Sequence, residues 1–248
     1  MGKRPQIQEP VIRRAGLVLS RANPEGRRET HVLSQCRQAH PGLGRLGAIC
    51  REVLDEARDA VTSLVVRGPE LVAGSVDGRV RSYDVRAGRC VVDVVGASVT
   101  SLDVTRDGKA VLVGALDSKL RLMDRASGAC LKTYADAGWR NEEFRVQAVL
   151  GGRETFVVAG DELTAAGAGG DGRVWAWELL TGKLMAKVTV PWGPPGSGPK
   201  KKVLGRDGKE KERSNVISCL AWKDDGWGHQ FCAGGTSGVA TVFGPSSS

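Results

Sequence analysis

The run Asp77–Asp84 reads DGRVRSYD, and it returns forty residues later as DSKLRLMD, Asp117–Asp124. It returns again as DGRVWAWE, Asp171–Glu178, and in a worn form as SGVATVF, Ser237–Phe243. Each copy opens on an acidic or small residue at a tight turn, continues as a β-rich run and closes on a large apolar residue. The flanks repeat as well. Ahead of three of the cores lie ELVAGS (Glu70–Ser75), AVLVGA (Ala110–Ala115) and QFCAGG (Gln230–Gly235). A Gly-containing turn and a further β-rich run follow the first three, as in Ala87-Gly88 before RCVVDVV. One more run precedes each unit: Val61–Val66, Val99–Val104, Phe144–Leu150 and Val216–Trp222. Short Val-rich strands broken by glycine turns read as all-β, with four strands per unit.

A period near forty with a W-D-like ending is the signature of WD repeats, each folding as one four-stranded propeller blade. The expectation is an all-β, WD40-type β-propeller with about four blades, at 53–96, 97–138, 139–190 and 214–244, forming an incomplete ring. Such an arc leaves the outer faces of its first and last blades uncovered, and terminal repeats need capping. The stretches LDEARDAVTSL, ELVAGSVDGRVRSYDVRAG and VTSLDVTRDGKAVLVGALDSKLRLMDRASGACLKTY, together with Asn141-Glu142-Glu143-Phe144, resemble the mitogen-activated protein kinase organizer subfamily of WD-repeat proteins. The fold does not demand LDEARD or the N-x-E-aromatic run, so they are more specific than a generic repeat signature. The resemblance implies a seven-bladed ring and a scaffold without catalysis. It implies partners among kinase-cascade components or splicing factors, and a place in cytoplasm and nucleus. It also implies structural roles for Asp77, Tyr83, Asp84, Asp117, Asp124, Asp171 and Trp177. The chain departs from the general WD pattern, in which a His, a Ser/Thr, an Asp and a Trp share one network. No Gly-His dipeptide opens a repeat, and the Trp slot holds Tyr83, Met123, Trp177 and Phe243. Apolar packing is therefore expected to hold the blades more than that network does.

The net charge of +8 is uneven: residues 1–52 carry +6 and residues 200–213 carry +4, which leaves the repeat body near neutral. Residues 1–52 show neither strand alternation nor a W-D ending. They read as an irregular basic region, with three readings open: an interaction arm, a poorly ordered tail, or translated sequence that is not native. The third core lies 54 residues after the second, the extra length falling around 161–169. The fourth lies 66 after the third because of PWGPPGSGPKKKVLGRDGKEKER, a Pro-, Gly- and charge-rich surface loop at 191–213. Candidate binding residues there are Lys200, Lys201, Lys202, Arg206, Lys209, Lys211 and Arg213, with Trp192 at its edge. A second functional class follows from them together with the basic N-terminal arm: an RNA-binding accessory protein whose affinity falls steeply with salt. No aromatics interleave with those charges, which disfavours base stacking. Arg79, Arg81 and Arg121 have two readings, as bridges between blades or as side chains reaching the rim.

Catalysis finds no support in the spacing. Asp77, Asp117 and Asp171 occupy one repeat slot, so they sit on different blades and do not converge. Gly167–Gly172 spells G-x-G-x-x-G, but a phosphate site needs a helix after the glycines, and RVWAWEL reads as a strand. No cofactor, small-molecule substrate or membrane is expected. His31, His40 and His229 lack partners at metal-ligand spacing. The cysteines, with Cys90 and Cys130 in the same slot of successive repeats, read as free thiols buried as small hydrophobes.

Overall fold

A computed structural model describes residues 17–22, 28–33, 54–163, 170–194, 203–204, 210–211, 215–224 and 229–244. Two strands precede the repeats, β1 (Leu17–Ala22) and β2 (Arg28–Leu33), paired as an antiparallel hairpin beside the first blade. Blade 1 is β3 (Val61–Arg67), β4 (Glu70–Ser75), β5 (Arg79–Asp84) and β6 (Arg89–Val94). Blade 2 is β7 (Val99–Val104), β8 (Ala110–Ala115), β9 (Lys119–Asp124) and β10 (Cys130–Tyr134). Blade 3 is β11 (Ala148–Gly151), β12 (Phe156–Gly160), β13 (Gly172–Glu178) and β14 (Leu184–Val190). A two-residue pair, β15 (Val203–Leu204) and β16 (Glu210–Lys211), interrupts the basic insertion. Blade 4 has three strands, β17 (Ile217–Asp224), β18 (His229–Gly235) and β19 (Ala240–Phe243). All pairings are antiparallel between chain neighbours, so each blade is a meander, and among the described residues there is no helix.

Consecutive blades stack face to face through three apolar clusters. Val72 and Val80 of blade 1 meet Val99, Leu102, Val111 and Met123 of blade 2. Leu112, Leu120 and Tyr134 of blade 2 meet Trp139 and then Ala148, Val157, Trp175 and Trp177 of blade 3. Val158 and Val174 of blade 3 meet Ile217, Leu220 and Ala233 of blade 4. Strand alternation explains this: successive residues point to opposite faces, and a blade between two others buries both. Hence β7 and β8 are buried along nearly their whole length, whereas the outer strands β6, β10 and β14 are mostly exposed.

Four expectations need correction. The leading face of blade 1 is not bare: Leu71, Ala73 and Tyr83 are only 4–6% exposed, because Leu54 and Ala57 of the preceding segment pack over them with Leu64. The four described cysteines are not core residues. Cys90, Cys130 and Cys219 are exposed and Cys232 is half-buried, the first two because they open the outermost strand of a blade. Residues 144–147 are not strand, since β11 begins only at Ala148, so part of the added length of the third repeat lies in the crossing 135–147. Finally, Arg81 and Arg121 neither bridge blades nor reach outward, because each folds back on the Asp four residues before it in its own turn.

Candidate interaction rim

The meander puts every β4–β5-type loop and every blade-to-blade crossing at one end of the arc. On that end the turn residues are fixed first. In blade 1 Asp77 accepts from Arg81 Nη2 (2.6 Å), the Arg58 amide (3.1 Å), the Arg79 amide (3.2 Å) and the Ser75 hydroxyl. Arg81 Nη1 also donates to Ser75 Oγ at 2.7 Å, with the Arg81 side chain 3% exposed. Burial pushes the Asp77 carboxyl up, but its bonds to Arg81, Ser75 and the Arg58 amide outweigh that and hold it at about 2. Blade 2 repeats the pair with Arg121 and Asp117, where Ala115 replaces the serine. The remaining acids of the repeat cores have smaller tasks. Asp84 accepts from the Arg86 and Ala87 amides, and Asp124 from the Ser127 amide and hydroxyl, closing the turns at the opposite end.

Blade 3 solves the same problem differently. Trp175 occupies the slot of Arg81 and Arg121, and Asp161 that of Ser75 and Ala115, directly after a glycine aligned with Gly74 and Gly114. Asp161 is fully buried. It accepts from Trp175 Nε1 (2.8 Å), the Leu163 amide (2.9 Å) and the Arg140 amide (3.3 Å), and pairs with Arg173 Nη2 at 2.8 Å. Its own carbonyl accepts from the Ile217 amide of blade 4 at 3.2 Å. Asp171, aligned with Asp77 and Asp117, instead accepts from the Trp192 amide at 2.8 Å and so ties down the start of the insertion. Trp177 lies buried beneath Trp175, stacked at 5.9 Å, with Trp139 edge-on at 5.5 Å. Lys187 sits 4.1 Å over the Trp175 ring.

Beside this hub the crossing 139–147 forms a tight, ordered loop. The Glu162 carboxylate accepts three consecutive amides, Glu142 (2.8 Å), Glu143 (2.9 Å) and Phe144 (2.7 Å). Asn141 is fully buried, donates its backbone amide to Ser118 Oγ at 3.1 Å, and with its carboxamide flipped donates to Glu162 and to the Phe144 carbonyl. Trp139 Nε1 donates to the Gly160 carbonyl at 2.7 Å. These bonds leave Glu142, Glu143, Phe144 and Arg145 exposed, with Phe144 45% exposed. A large aromatic held out of the core between Glu143 and Arg145, on a loop whose backbone is already ordered, is the makings of a protein-binding hot spot.

Of the residues singled out in the sequence, Lys200, Lys201, Lys202, Arg206, Lys209 and Arg213 lie outside the described residues, as do Cys36, Cys50 and His40. Lys211 lies in β16 and His31 in β2. Trp192 is half-buried on the described edge of the insertion. Sequence reasoning missed Asp161, Glu162, Trp139 and Trp175. Asp161 was findable by aligning the glycine near the end of each second strand. Among the described residues no group of three or more His, Cys, Asp or Glu is placed to hold a metal, and no helix is long and apolar enough to cross a membrane. Gly172 begins a strand, so no helix N-terminus follows the glycine-rich run.

No protein-family model matches the chain. It is 40% identical over 139 residues to WD repeat domain-containing protein 83 of Rattus norvegicus, covering 56% of this chain and 41% of that protein. The protein of the same name in Homo sapiens is 42% identical over 147 residues, covering 59% and 42%. An uncharacterised WD repeat-containing protein of Schizosaccharomyces pombe is 34% identical over 143 residues, covering 58% and 45%. The chain thus spans roughly two fifths of the length of the curated relatives it matches. Among solved structures, the computationally designed Ika4 protein superposes with a TM-score of 0.51 over 79% of this chain and 98% of that one, at 20% identity, which speaks to fold alone. The repeats read from the sequence build propeller blades, and they are similar to stretches of WD repeat-containing proteins.

Proposed function

We infer that this chain is a non-catalytic scaffold that assembles protein complexes, serving a mitogen-activated kinase cascade and pre-mRNA splicing. The observation that carries the reading is the 141–144 loop. Glu162 and Asn141 spend four hydrogen bonds ordering a surface segment whose exposed side chains, Glu142, Glu143 and Phe144, contribute nothing visible to the core. An ordered protrusion that presents an aromatic ring between charged neighbours fits a partner with a polar-rimmed apolar pocket. The finer assignment is supported by the resemblance of the same loop, and of LDEARD, to the organizer subfamily. A propeller rim suits this work, since several loops held on one rigid arc raise the effective concentration of their partners.

The test is co-precipitation from the protein's own cells with antibodies to kinase-cascade components and to splicing factors, using the wild type and Phe144→Ala. The scaffold reading expects at least one of the two sets to be recovered with the wild type and reduced tenfold or more with F144A, on the order of the loss of one hot-spot aromatic. Recovery of neither set, or equal recovery with both proteins, overturns the finer assignment. A partner bound through the 200–213 loop instead would be lost with the Lys200, Lys201 and Lys202 alanine variants and in high salt.

A further inference from the structure

The outer strands of the first three blades treat their free edges differently. In blades 2 and 3 the edge is blunted twice over. β10 and β14 each break register, at Leu131 and at Met185, and each carries a lysine, Lys132 and Lys187. Bulges and edge lysines are what keeps an exposed strand from pairing with another chain. β6 of blade 1, RCVVDV, has neither device. It pairs with β5 along all six residues without a break and holds no lysine. Val91, Val92 and Val94 on it are 56%, 45% and 70% exposed.

The pairing with β5 sets which groups point to the open edge. The Val95 amide donates to the Gly78 carbonyl at 2.9 Å, on the β5 side. Backbone direction alternates along a strand, so Arg89, Val91 and Asp93 also turn their N–H and C=O toward β5. Cys90, Val92 and Val94 turn theirs outward. The side chains divide between the faces in the same way. Arg89, Val91 and Asp93 stand in register with Asp84, Ser82 and Val80, on the face turned to blade 2. Cys90 and Val92 stand with Tyr83 and Arg81 on the other face. Asp93 is half-buried beside Gly128, and the Arg125 charge that reaches it is already paired with Glu70 at 3.0 Å.

We propose that β6 pairs antiparallel with β6 of a second copy of this chain, about a two-fold axis at Val91, so that two blades join into one continuous sheet. The occupant follows from the spacing of charge on the strand. Arg89 and Asp93 lie equally far before and after Val91, on one face. Antiparallel pairing centred on Val91 therefore sets Arg89 opposite the partner's Asp93, and Asp93 opposite the partner's Arg89. Opposite charges placed so stabilise a strand pair, and like charges destabilise it. The same register sets Cys90 opposite the partner's Val92. Those are residues whose N–H and C=O face the edge, so the inter-copy hydrogen bonds form there. The charge pairs and the two Val91 side chains fall at the non-hydrogen-bonded positions, where side chains lie closest. Sliding the register by two residues either way sets Val91 opposite a charge and separates both pairs. A symmetric contact needs a surface complementary to itself, and β6 is one.

Sedimentation velocity of the purified full chain over a concentration series tests the pairing, with thermal melting of each variant alongside. The expected result is a reversible monomer–dimer equilibrium. Arg89→Asp sets carboxylate against carboxylate and should weaken the dimer about tenfold or more, because both symmetric pairs turn repulsive. Arg89→Asp/Asp93→Arg restores opposite charges in the same register and should recover the dimer. Cys90→Ser/Val91→Cys, once oxidised, should yield a disulfide linking position 91 of two copies, identified by peptide mass spectrometry. Four results overturn the proposal: a wild type that stays monomeric, a dimer indifferent to R89D, a reciprocal variant that melts like the wild type yet stays monomeric, or no disulfide at position 91.

Discussion

At the scale of single residues, stability is concentrated in two carboxylates at turns. Asp77 has a folded value of about 2 against an ordinary 3.8. Because the folded value is depressed, its stabilisation is fully present above the ordinary value and is lost as pH falls from about 4 to about 2. The difference amounts to about 2 kcal/mol, and its side chain is only 10% exposed, so solvent screening removes little of it. Urea titrations at pH 5 and pH 2.5 should show this loss, and Asp77→Asn should be destabilised at pH 5 and show a smaller change between the two. The second carboxylate, Asp161, is fully buried and served by Trp175 Nε1, Arg173 and two amides. Trp175→Phe keeps the ring over Trp177 but removes the indole donor. It should cost about 1–3 kcal/mol in urea unfolding, the penalty for depriving a buried acceptor of one bond. Across the blade 2–blade 3 junction, burial pushes the Tyr134 hydroxyl up to about 12. It therefore remains a donor to the Leu179 carbonyl, at 2.6 Å, throughout the neutral range.

At the scale of elements, the sequence was most legible where period and alternation agree. Val99–Val104, Ala110–Ala115 and Glu70–Ser75 are strands at the residues where the repeat put them. It was least legible where a side chain competes with the ladder. Phe144–Leu150 alternates like a strand, yet the Glu162 carboxylate captures the Glu142–Phe144 amides and delays pairing until Ala148. No local pattern announces a carboxylate twenty residues away. The cysteines misled for a related reason. Composition favours burial of a free thiol, but Cys90 and Cys130 fill a slot on the outermost strand, where one face meets solvent whatever the residue. Glu162→Ala should therefore loosen the loop alone, because charge-assisted bonds to three amides are lost and no core residue moves. Amide hydrogen exchange at Glu142, Glu143 and Phe144 should accelerate by at least about tenfold, as expected for losing more than 1.4 kcal/mol of local protection, while strands β7 and β8 keep theirs. Gly160→Ala acts across elements instead. Its methyl would clash with the Ile217 backbone, so blade 4 should detach or shift, lowering the melting temperature.

At the scale of the whole molecule, the described residues form an ordered arc rather than a set of independent hairpins. Blades 2 and 3 bury their apolar faces only against their neighbours, so folding should be cooperative through the three clusters. The two ends differ: the first blade is covered by its own leading segment, and the fourth presents an exposed small-residue face. The 141–144 loop stands on the rim between these ends, tied to blade 2 through Ser118 and to blade 3 through Glu162. That placement was half-visible in the sequence. The N-x-E-aromatic run stood out because the fold does not require it, but its exposure and its ordering depend on Glu162, which belongs to a different loop. The central claim is that this ordered loop is where the scaffold engages protein partners. It is tested most directly by affinity purification of the wild type and a Glu142→Lys/Glu143→Lys/Phe144→Ala variant from native cells, with quantitative mass spectrometry of what co-purifies. We predict that the variant melts like the wild type and loses a defined subset of co-purifying proteins; an unchanged set of partners, with the fold intact, would contradict the account.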